Sequence, residues 1–207
     1  MSDARAATGE ATPPGAQLYL ISPPEWDVEG LAQSLEAALS AGGVVAFRLR
    51  PASMPDGAAE ALRQICAGRV AFLLQDDIDQ VLALGADGVH LGDPAGVREA
   101  RARLGPDRIL GASCGRSRHA AMLAGEDGAD YIAFGEVGRR PQPPLFELIA
   151  WWNELFVLPC LLQGAFDAAS LELAARADFI GVSDEVWRYP DGAAAGVRAL
   201  RQGLARG

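Results

Sequence analysis

One helix-to-strand joint recurs along the chain and constrains its fold more than any other feature. It reads Gly-Ala-Asp followed by an apolar strand at residues 85–91 and again at 128–135, and it returns as Arg-Ala-Asp at 176–182. In the first copy, Gly85 suits the left-handed cap that closes a helix, and Asp87 with the next glycine supplies a tight turn. Repeated joints of one kind, roughly evenly spaced, predict a chain built from consecutive strand–helix units.

Apolar runs separated by segments of helical spacing extend this pattern to eight strand–helix pairs. The predicted strands are apolar, as expected where both faces of a parallel sheet are buried. They cover residues 17–22, 44–50, 70–75, 88–91, 109–113, 131–137, 158–163 and 179–183. Eight such units predict an α/β fold, a (β/α)8 TIM barrel that forms a single domain over residues 17–207. The alternative is a doubly wound open sheet, which the lack of a GxGxxG turn after any strand disfavours.

The first residues and the overall charge narrow the class of protein. Residues 1–16 have no apolar core, so they do not resemble a secretory signal, and we expect a disordered lead-in. No apolar run approaches the roughly 20 residues of a membrane span. The net charge of −9 disfavours nucleic acid and anionic membrane as partners. We therefore expect a soluble, cytoplasmic protein.

The chain contains no lysine, since all 18 basic residues are arginine. This absence excludes Schiff-base chemistry, attachment of pyridoxal phosphate and a lysine-cradled phosphate loop. The cysteines Cys66, Cys114 and Cys160 lie far apart without CxxC spacing. They predict reduced, mostly buried thiols and neither a disulfide frame nor a zinc site.

Polar residues at the carboxyl ends of the strands are the candidates for chemistry, because active sites of such barrels lie there. Arg48 and Arg50 stand two apart on one strand, so they share a face and suit a clamp for an anionic substrate. The alternative pairs each arginine with a neighbouring carboxylate. Asp76 and Asp93 would end adjacent strands and could hold Mg²⁺ together with substrate phosphates. The alternative for Asp76 is a cap on the following helix.

The remaining candidates have less specific signals. His90 stands on an apolar strand, and a satisfied buried histidine is favoured over a general base. Ser113 has no recognisable acid–histidine partner, so we expect its hydroxyl to contact substrate and not to act as a nucleophile. The other candidates for substrate binding end strands three, six, seven and eight: Gln75, Arg139, Arg140, Gly164, Ser183 and Asp184.

These residues resemble a family of (β/α)8 barrels, the thiamine phosphate synthases and thiazole tautomerases. The resemblance spans roughly residues 17–186, and its sharpest piece is GADGVHLG at 85–92, with further matches at 111–113 and 128–135. It implies a transferase of thiamine biosynthesis that joins an aminopyrimidine methyl diphosphate to a thiazole phosphate and releases diphosphate with Mg²⁺. It also implies that Arg50 binds the diphosphate.

The same resemblance assigns further roles to candidates already named. It implies that Asp76 and Asp93 bind Mg²⁺ and that Ser113 binds substrate. The phosphate-binding Val-Ser pair at strand eight of the family corresponds here to Ser183 and Asp184.

The chain also departs from the family pattern. Arg48 stands where the family has glutamine, Ala52 where it has lysine, and Gln75 and Asp77 replace the Asn and Arg around the metal aspartate. A Thr-x-Thr-Lys loop after strand six is replaced by residues 138–144, which carry the two consecutive arginines. Gly-Gly after strand seven becomes Gly-Ala.

The end of strand eight departs most. Asp184 is followed by Glu185, and two acidic side chains would repel a phosphate there. We therefore expect a divergent homologue with a degenerate phosphate site. Three alternatives stay open: a working synthase, a barrel that has lost this activity and binds another small ligand or a protein partner, and a thiazole tautomerase-like enzyme. In the last case the catalytic histidine of the family corresponds to Gly115. The adjacent Trp151 and Trp152 predict packing against the barrel or against a second copy, so a homodimer also stays open.

Overall fold

The computed structural model describes residues 15–50 and 57–206 and confirms the predicted TIM barrel. Eight parallel strands, β1 to β8, are hydrogen-bonded in chain order and close into a ring. They are β1 Gln17–Ile21, β2 Val44–Leu49, β3 Ala71–Gln75, β4 Gly88–Leu91, β5 Ile109–Gly115, β6 Tyr131–Gly135, β7 Cys160–Gln163 and β8 Phe179–Val182. The closed ring excludes the open-sheet alternative. The predicted lead-in, except for its last two residues, and Ala52 lie outside the described residues.

Helices follow the strands and cover the outside of the ring. They are α1 Val28–Ser40, α2 Ala58–Cys66, α3 Ile78–Leu84, α4 Val97–Leu104, α5 Arg118–Glu126, α6 Pro143–Leu155, α7 Ala168–Ala174, α8 Asp184–Trp187 and α9 Ala193–Leu204. A 3-10 helix, Pro94–Gly96, precedes α4. The short α8 directly after β8 is absent from the sequence prediction. Within the described ranges, none of the helices has the length and apolarity needed to cross a membrane.

The recurring joint has a common hydrogen-bonding role. Each of its aspartates stands just before an even-numbered strand, and its carboxylate accepts a backbone N–H from the preceding odd-numbered strand. The pairs are Asp87 with Phe72 at 2.7 Å, Asp130 with Leu110 at 2.8 Å and Asp178 with Cys160 at 2.8 Å. A charge-assisted bond of this kind fixes the register of two neighbouring strands, which explains why one joint is used three times.

Two apolar layers hold the barrel together. The outer layer lies between strands and helices and includes the buried Trp152, while the smaller inner cluster fills the ring around Ile21, Leu73 and Leu161. The inner side chains become polar towards the carboxyl ends of the strands, where Arg48 and His90 are buried. This change of polarity positions a candidate site at the mouth of the barrel.

Candidate active site at the barrel mouth

Arg48 extends from β2 into the interior of the barrel mouth and is only 2% exposed. Its Nη2 donates to Oε1 of Gln163 on β7 at 3.1 Å, and its guanidinium lies 5.8 Å from the centre of the Tyr19 ring. Among the described residues, its Nε and Nη1 are buried and have no hydrogen-bond partner. The alternative that pairs Arg48 with a carboxylate is therefore not what the structure shows. A buried guanidinium with unused donors is suited to an incoming anion.

Hydrogen bonds continue from Gln163 to the centre of the ring. Gln163 Nε2 donates to the carbonyl of Gly135 at 3.2 Å and to Oγ of Ser113 at 3.3 Å. The Ser113 hydroxyl in turn lies 2.8 Å from His90 Nε2. These bonds join β4, β5 and β7, so the orientation of the Ser113 hydroxyl depends on side chains from two other strands.

Two tyrosines complete this chain of hydrogen bonds. His90 Nδ1 lies 2.8 Å from the hydroxyl of Tyr131, which lies 2.8 Å from the hydroxyl of Tyr19. Burial, together with the nearby charge of Arg48, lowers the pKa of His90 well below its usual value. Burial also raises the pKa of both tyrosines. The histidine is neutral and satisfied, as predicted, and it holds Ser113 in place.

Arg50 lies next to Arg48 at the end of β2 and is half-buried. Its Nε donates to the carbonyl of Ser22 at 2.8 Å, and its backbone N–H donates to the Ser22 hydroxyl at 3.0 Å. Burial and the charge of Arg48 lower the pKa of Arg50, while Asp184 acts in the opposite direction. The charge of Arg48 therefore acts on Arg50, with Asp184 also close to it.

Asp76 does not cap the helix that follows it. Asp77 does so, because its carboxylate accepts the N–H of Gln80 at 2.8 Å. Asp76 instead has a left-handed backbone, with φ of 60°, and it alone among the described non-glycine residues has a positive φ. Its carboxylate accepts the N–H of Gly92 at 2.6 Å and the side-chain amide of Gln75 at 3.1 Å. Strained backbone of this kind is concentrated at functional sites.

Asp93 lies just after β4 and directly follows Gly92, the residue whose N–H donates to Asp76. Its carboxylate accepts the N–H of Ala95 at 3.0 Å and caps the 3-10 helix. In residues 15–50 and 57–206, no group of three or more His, Cys, Asp or Glu side chains could hold a metal ion. Mg²⁺ sites that are completed by substrate phosphates, however, usually contain only one or two protein carboxylates. Asp76 and Asp93, which are exposed at adjacent strand ends, could supply these carboxylates.

Arg139 and Arg140 lie in the loop after β6 and are exposed. Arg139 pairs with Glu136 at 3.0 Å, and Arg140 forms an ion pair with Asp167. Gly164 lies beneath this loop, because a Cβ there would stand 2.9 Å from the carbonyl of Arg139. The loop therefore lies across the end of β7, at the same end of the barrel as the other candidates.

The two adjacent acidic residues that follow β8, Asp184 and Glu185, have different surroundings. Asp184 is exposed, and its Oδ1 lies 3.6 Å from Nε of Arg188. Glu185 points back to the loops, where it accepts the N–H of Phe166 at 2.9 Å and that of Ser183 at 3.1 Å. Ser183 is buried and donates its hydroxyl to the carbonyl of Ser22 at 3.3 Å.

Some polar residues that organise the mouth are not among the candidates predicted from the sequence. One is Ser22, which contacts the ends of both β2 and β8. Two others are Tyr19 and Tyr131, whose hydroxyls meet inside the ring. Gly111 is a signal that could reveal Tyr131, since a Cβ at Gly111 would overlap its ring.

The fold and the mouth define a class of protein: (β/α)8 barrels with a basic, partly buried site at the carboxyl ends of their strands. Residues 18–186 match the family model described as thiamine monophosphate synthase. The chain is 42% identical over 194 residues to a thiamine-phosphate synthase of Rhodospirillum centenum, with 87% of this chain and 94% of the relative covered. It is 44% identical over 207 residues to one of Hyphomonas neptunium, with 90% and 93% covered. The chain belongs to the thiamine monophosphate synthase family.

Solved structures agree with this assignment. The thiamine phosphate pyrophosphorylase of Pyrococcus furiosus superposes with a TM-score of 0.76 at 26% identity, covering 92% of this chain and 96% of that one. The orotidine 5'-phosphate decarboxylase of Pyrococcus horikoshii has a TM-score of 0.70 at 14% identity over 91% and 99% of the two chains. The latter likeness concerns the fold alone.

Proposed function

We propose that the chain couples an aminopyrimidine methyl diphosphate with a thiazole phosphate to give thiamine phosphate and diphosphate. The family match over residues 18–186 carries this proposal, and relatives that bear the name thiamine-phosphate synthase support it over almost the whole chain. In this reaction the methylene–oxygen bond breaks and diphosphate leaves with the bonding electrons. The thiazole nitrogen then forms the new carbon–nitrogen bond with its lone pair, so no proton transfer is needed.

The arginines of β2 supply the main requirement of such a reaction, which is stabilisation of the departing negative charge. Arg48 has two buried nitrogens for which residues 15–50 and 57–206 supply no hydrogen-bond partner, and Arg50 lies beside it. Arginine donors bind phosphate oxygens strongly when water is excluded. In our proposal both guanidiniums contact the diphosphate, and Ser113, held by His90, orients the pyrimidine end of the same substrate.

The residues around Asp76 fit the Mg²⁺ that the family implies. Mg²⁺ in proteins is held by one or two carboxylates together with substrate phosphates, and Asp76 and Asp93 provide carboxylates at adjacent strand ends. Gln75 donates to one Asp76 oxygen and so orients this carboxylate. When bound there, Mg²⁺ would neutralise part of the charge on the diphosphate.

The loop after β6 is the part of the mouth that could bind the phosphate of the thiazole. Arg139 and Arg140 are paired with carboxylates, but both pairs are exposed, and exposed ion pairs contribute little stability. The arginines can therefore exchange these partners for a phosphate. Gly164 directly follows β7 and Ser183 directly follows β8, and both residues complete this side of the mouth. A cytoplasmic location and a homodimer stay predictions.

Diphosphate release by the purified chain tests this proposal. We expect release only when both substrates and Mg²⁺ are present, with thiamine phosphate formed in equal amount. Asp76→Asn should lower the rate by about 10², because loss of metal-ion stabilisation is worth several kcal/mol and each 1.36 kcal/mol is about tenfold. Arg98→Gln is the control, because the Arg98 side chain is 83% exposed and pairs with Asp127 just after α5, and it should leave the rate unchanged. Diphosphate release without the thiazole, or no release at all, would contradict the proposal.

A further inference from the structure

The side chain of Glu185 occupies a position between two loops of the mouth. Its Oε1 accepts the N–H of Phe166, in the loop after β7, at 2.9 Å. Its Oε2 accepts the N–H of Ser183, at the end of β8, at 3.1 Å. One carboxylate thus joins backbone donors from two different loops.

These loops are where (β/α)8 barrels usually bind phosphate, through backbone N–H groups after strands seven and eight. A carboxylate and a phosphate offer the same kind of group, a negatively charged oxygen acceptor, to such donors. Glu185 and a substrate phosphate would therefore compete for the same two N–H groups. Glu185 has the advantage of being part of the chain, so it is present at high effective concentration.

Other donors at this corner are also engaged within the chain. The N–H of Ala165 donates to the carbonyl of Arg139 at 2.9 Å, and that of Gly164 donates to the carbonyl of Gly181 at 3.3 Å. The Ser183 hydroxyl donates to the carbonyl of Ser22 at 3.3 Å. A phosphate entering between the two loops can therefore bind the N–H groups of Phe166 and Ser183 only if the Glu185 side chain rotates away from them. Glu185 is half-buried, so part of its side chain faces solvent, and it has three rotatable side-chain bonds.

We propose that Glu185 determines specificity at this end of the site, by acting as an internal competitor that lowers the preference for a phosphorylated acceptor. The proposal rests on the synthase function proposed above. It concerns Glu185 and not the adjacent acid, because Asp184 is exposed and its carboxylate lies 3.6 Å from Nε of Arg188. Of the two acidic residues, Glu185 is the one whose carboxylate holds the loop N–H groups.

The kinetic test compares thiazole phosphate with the unphosphorylated thiazole alcohol as acceptors. The measured quantity is the ratio of kcat/KM for the phosphate to kcat/KM for the alcohol. Glu185→Gln keeps the shape of the side chain, but its amide NH₂ cannot accept an N–H, so we expect the ratio to rise at least about tenfold. Glu154→Gln is the control, because it removes the same charge from an exposed side chain at the end of α6, just before β7 and away from the mouth, and it should change the ratio by less than about twofold. An unchanged ratio in Glu185→Gln, or an equal rise in both variants, would overturn the proposal.

A binding measurement tests Glu185 separately from catalysis. Inorganic phosphate is titrated into the wild-type chain, Glu185→Gln and Glu185→Ala, while the amide resonances of Phe166 and Ser183 are followed by NMR. We expect both variants to bind at least about tenfold more tightly than the wild type, with the largest shifts at these two amides. Equal affinity in all three, or shifts elsewhere only, would overturn the proposal. If no form of the chain converts either acceptor, the synthase function fails, while this titration still decides the role of Glu185.

Discussion

Replacing Arg48 by methionine should make the free protein more stable and less able to bind diphosphate. The guanidinium is buried, and two of its nitrogens, Nε and Nη1, lack a partner among the described residues. Each buried unsatisfied donor costs about 1–3 kcal/mol, so the two together cost roughly 2–6 kcal/mol. The bond to Gln163 returns about 1.5–3 kcal/mol. The midpoints of these two ranges are about 4 and about 2 kcal/mol, so Arg48→Met should raise the free energy of unfolding by about 2 kcal/mol, with roughly 1–3 kcal/mol as the expected interval, consistent with other replacements of buried charges by apolar residues.

Urea unfolding followed by tryptophan fluorescence measures this change directly. For a chain of this length, a gain of about 1–3 kcal/mol corresponds to a rise in Tm of roughly 2–12 °C. Arg98→Met is the matched control, since the Arg98 side chain is 83% exposed and should change stability by less than about 0.5 kcal/mol. Diphosphate affinity of Arg48→Met should fall about 10- to 100-fold through loss of charge-assisted bonds. A variant less stable than the wild type would refute the reasoning, because it would mean that the contacts of Arg48 with Gln163 and Tyr19 outweigh the cost of its two unused donors.

Three further predictions concern titratable groups. Because burial lowers the pKa of His90 in the folded state, this residue binds a proton in the unfolded chain but not in the folded chain below about pH 6.5. Each pH unit of acidification below that pH should therefore lower the free energy of unfolding by about 1.4 kcal/mol through this histidine. His90→Gln should remove this contribution to the pH dependence of the free energy of unfolding, measured from about pH 7 to about pH 5. Burial raises the pKa of Cys66, Cys114 and Cys160 to about 12, so only roughly 10⁻⁴ of each thiol is ionised at pH 8. A disulfide reagent should therefore label these thiols only after urea is added. Rapid labelling of the native chain would contradict their burial. Asp76→Asn should preserve the fold within about 1 kcal/mol but abolish any Mg²⁺ dependence of diphosphate affinity in calorimetry, whereas an unchanged dependence would exclude this carboxylate as a ligand.

The barrel itself was predictable because its determinants are local. Joints such as the one at Gly85 combine a helix cap, a turn and an apolar strand within a few residues, and the structure confirms this with a φ of 64° at Gly85. The predicted ends of strands were less accurate. The prediction ends β5 at Ser113, but this strand continues to Gly115, and it extends β6 to Val137, although this strand ends at Gly135. Hydrophobicity alone does not mark where inter-strand hydrogen bonds stop.

The candidate site was predictable in its members but not in its contacts. Position at a strand end identified Arg48 and Asp76, since the topology brings all carboxyl ends to one mouth. Which aspartate of the pair at 76–77 caps the helix depends on one backbone angle, which the sequence does not specify. Likewise, the charges of Asp184 and Glu185 are equal in the sequence, and only the course of the chain through α8 turns one carboxylate towards the loop N–H groups. Hydroxyl pairs such as Tyr19 and Tyr131, 112 residues apart, require the closed ring before they can meet.

A crystal structure of the chain with diphosphate and Mg²⁺ tests the location of the site most directly. The account predicts that the diphosphate lies at the barrel mouth, within hydrogen-bond distance of the Arg48 and Arg50 guanidiniums, with the metal ion between the diphosphate and the Asp76 carboxylate. Diphosphate bound away from β2 and β3, with Arg48 still lacking partners for Nε and Nη1, would contradict it.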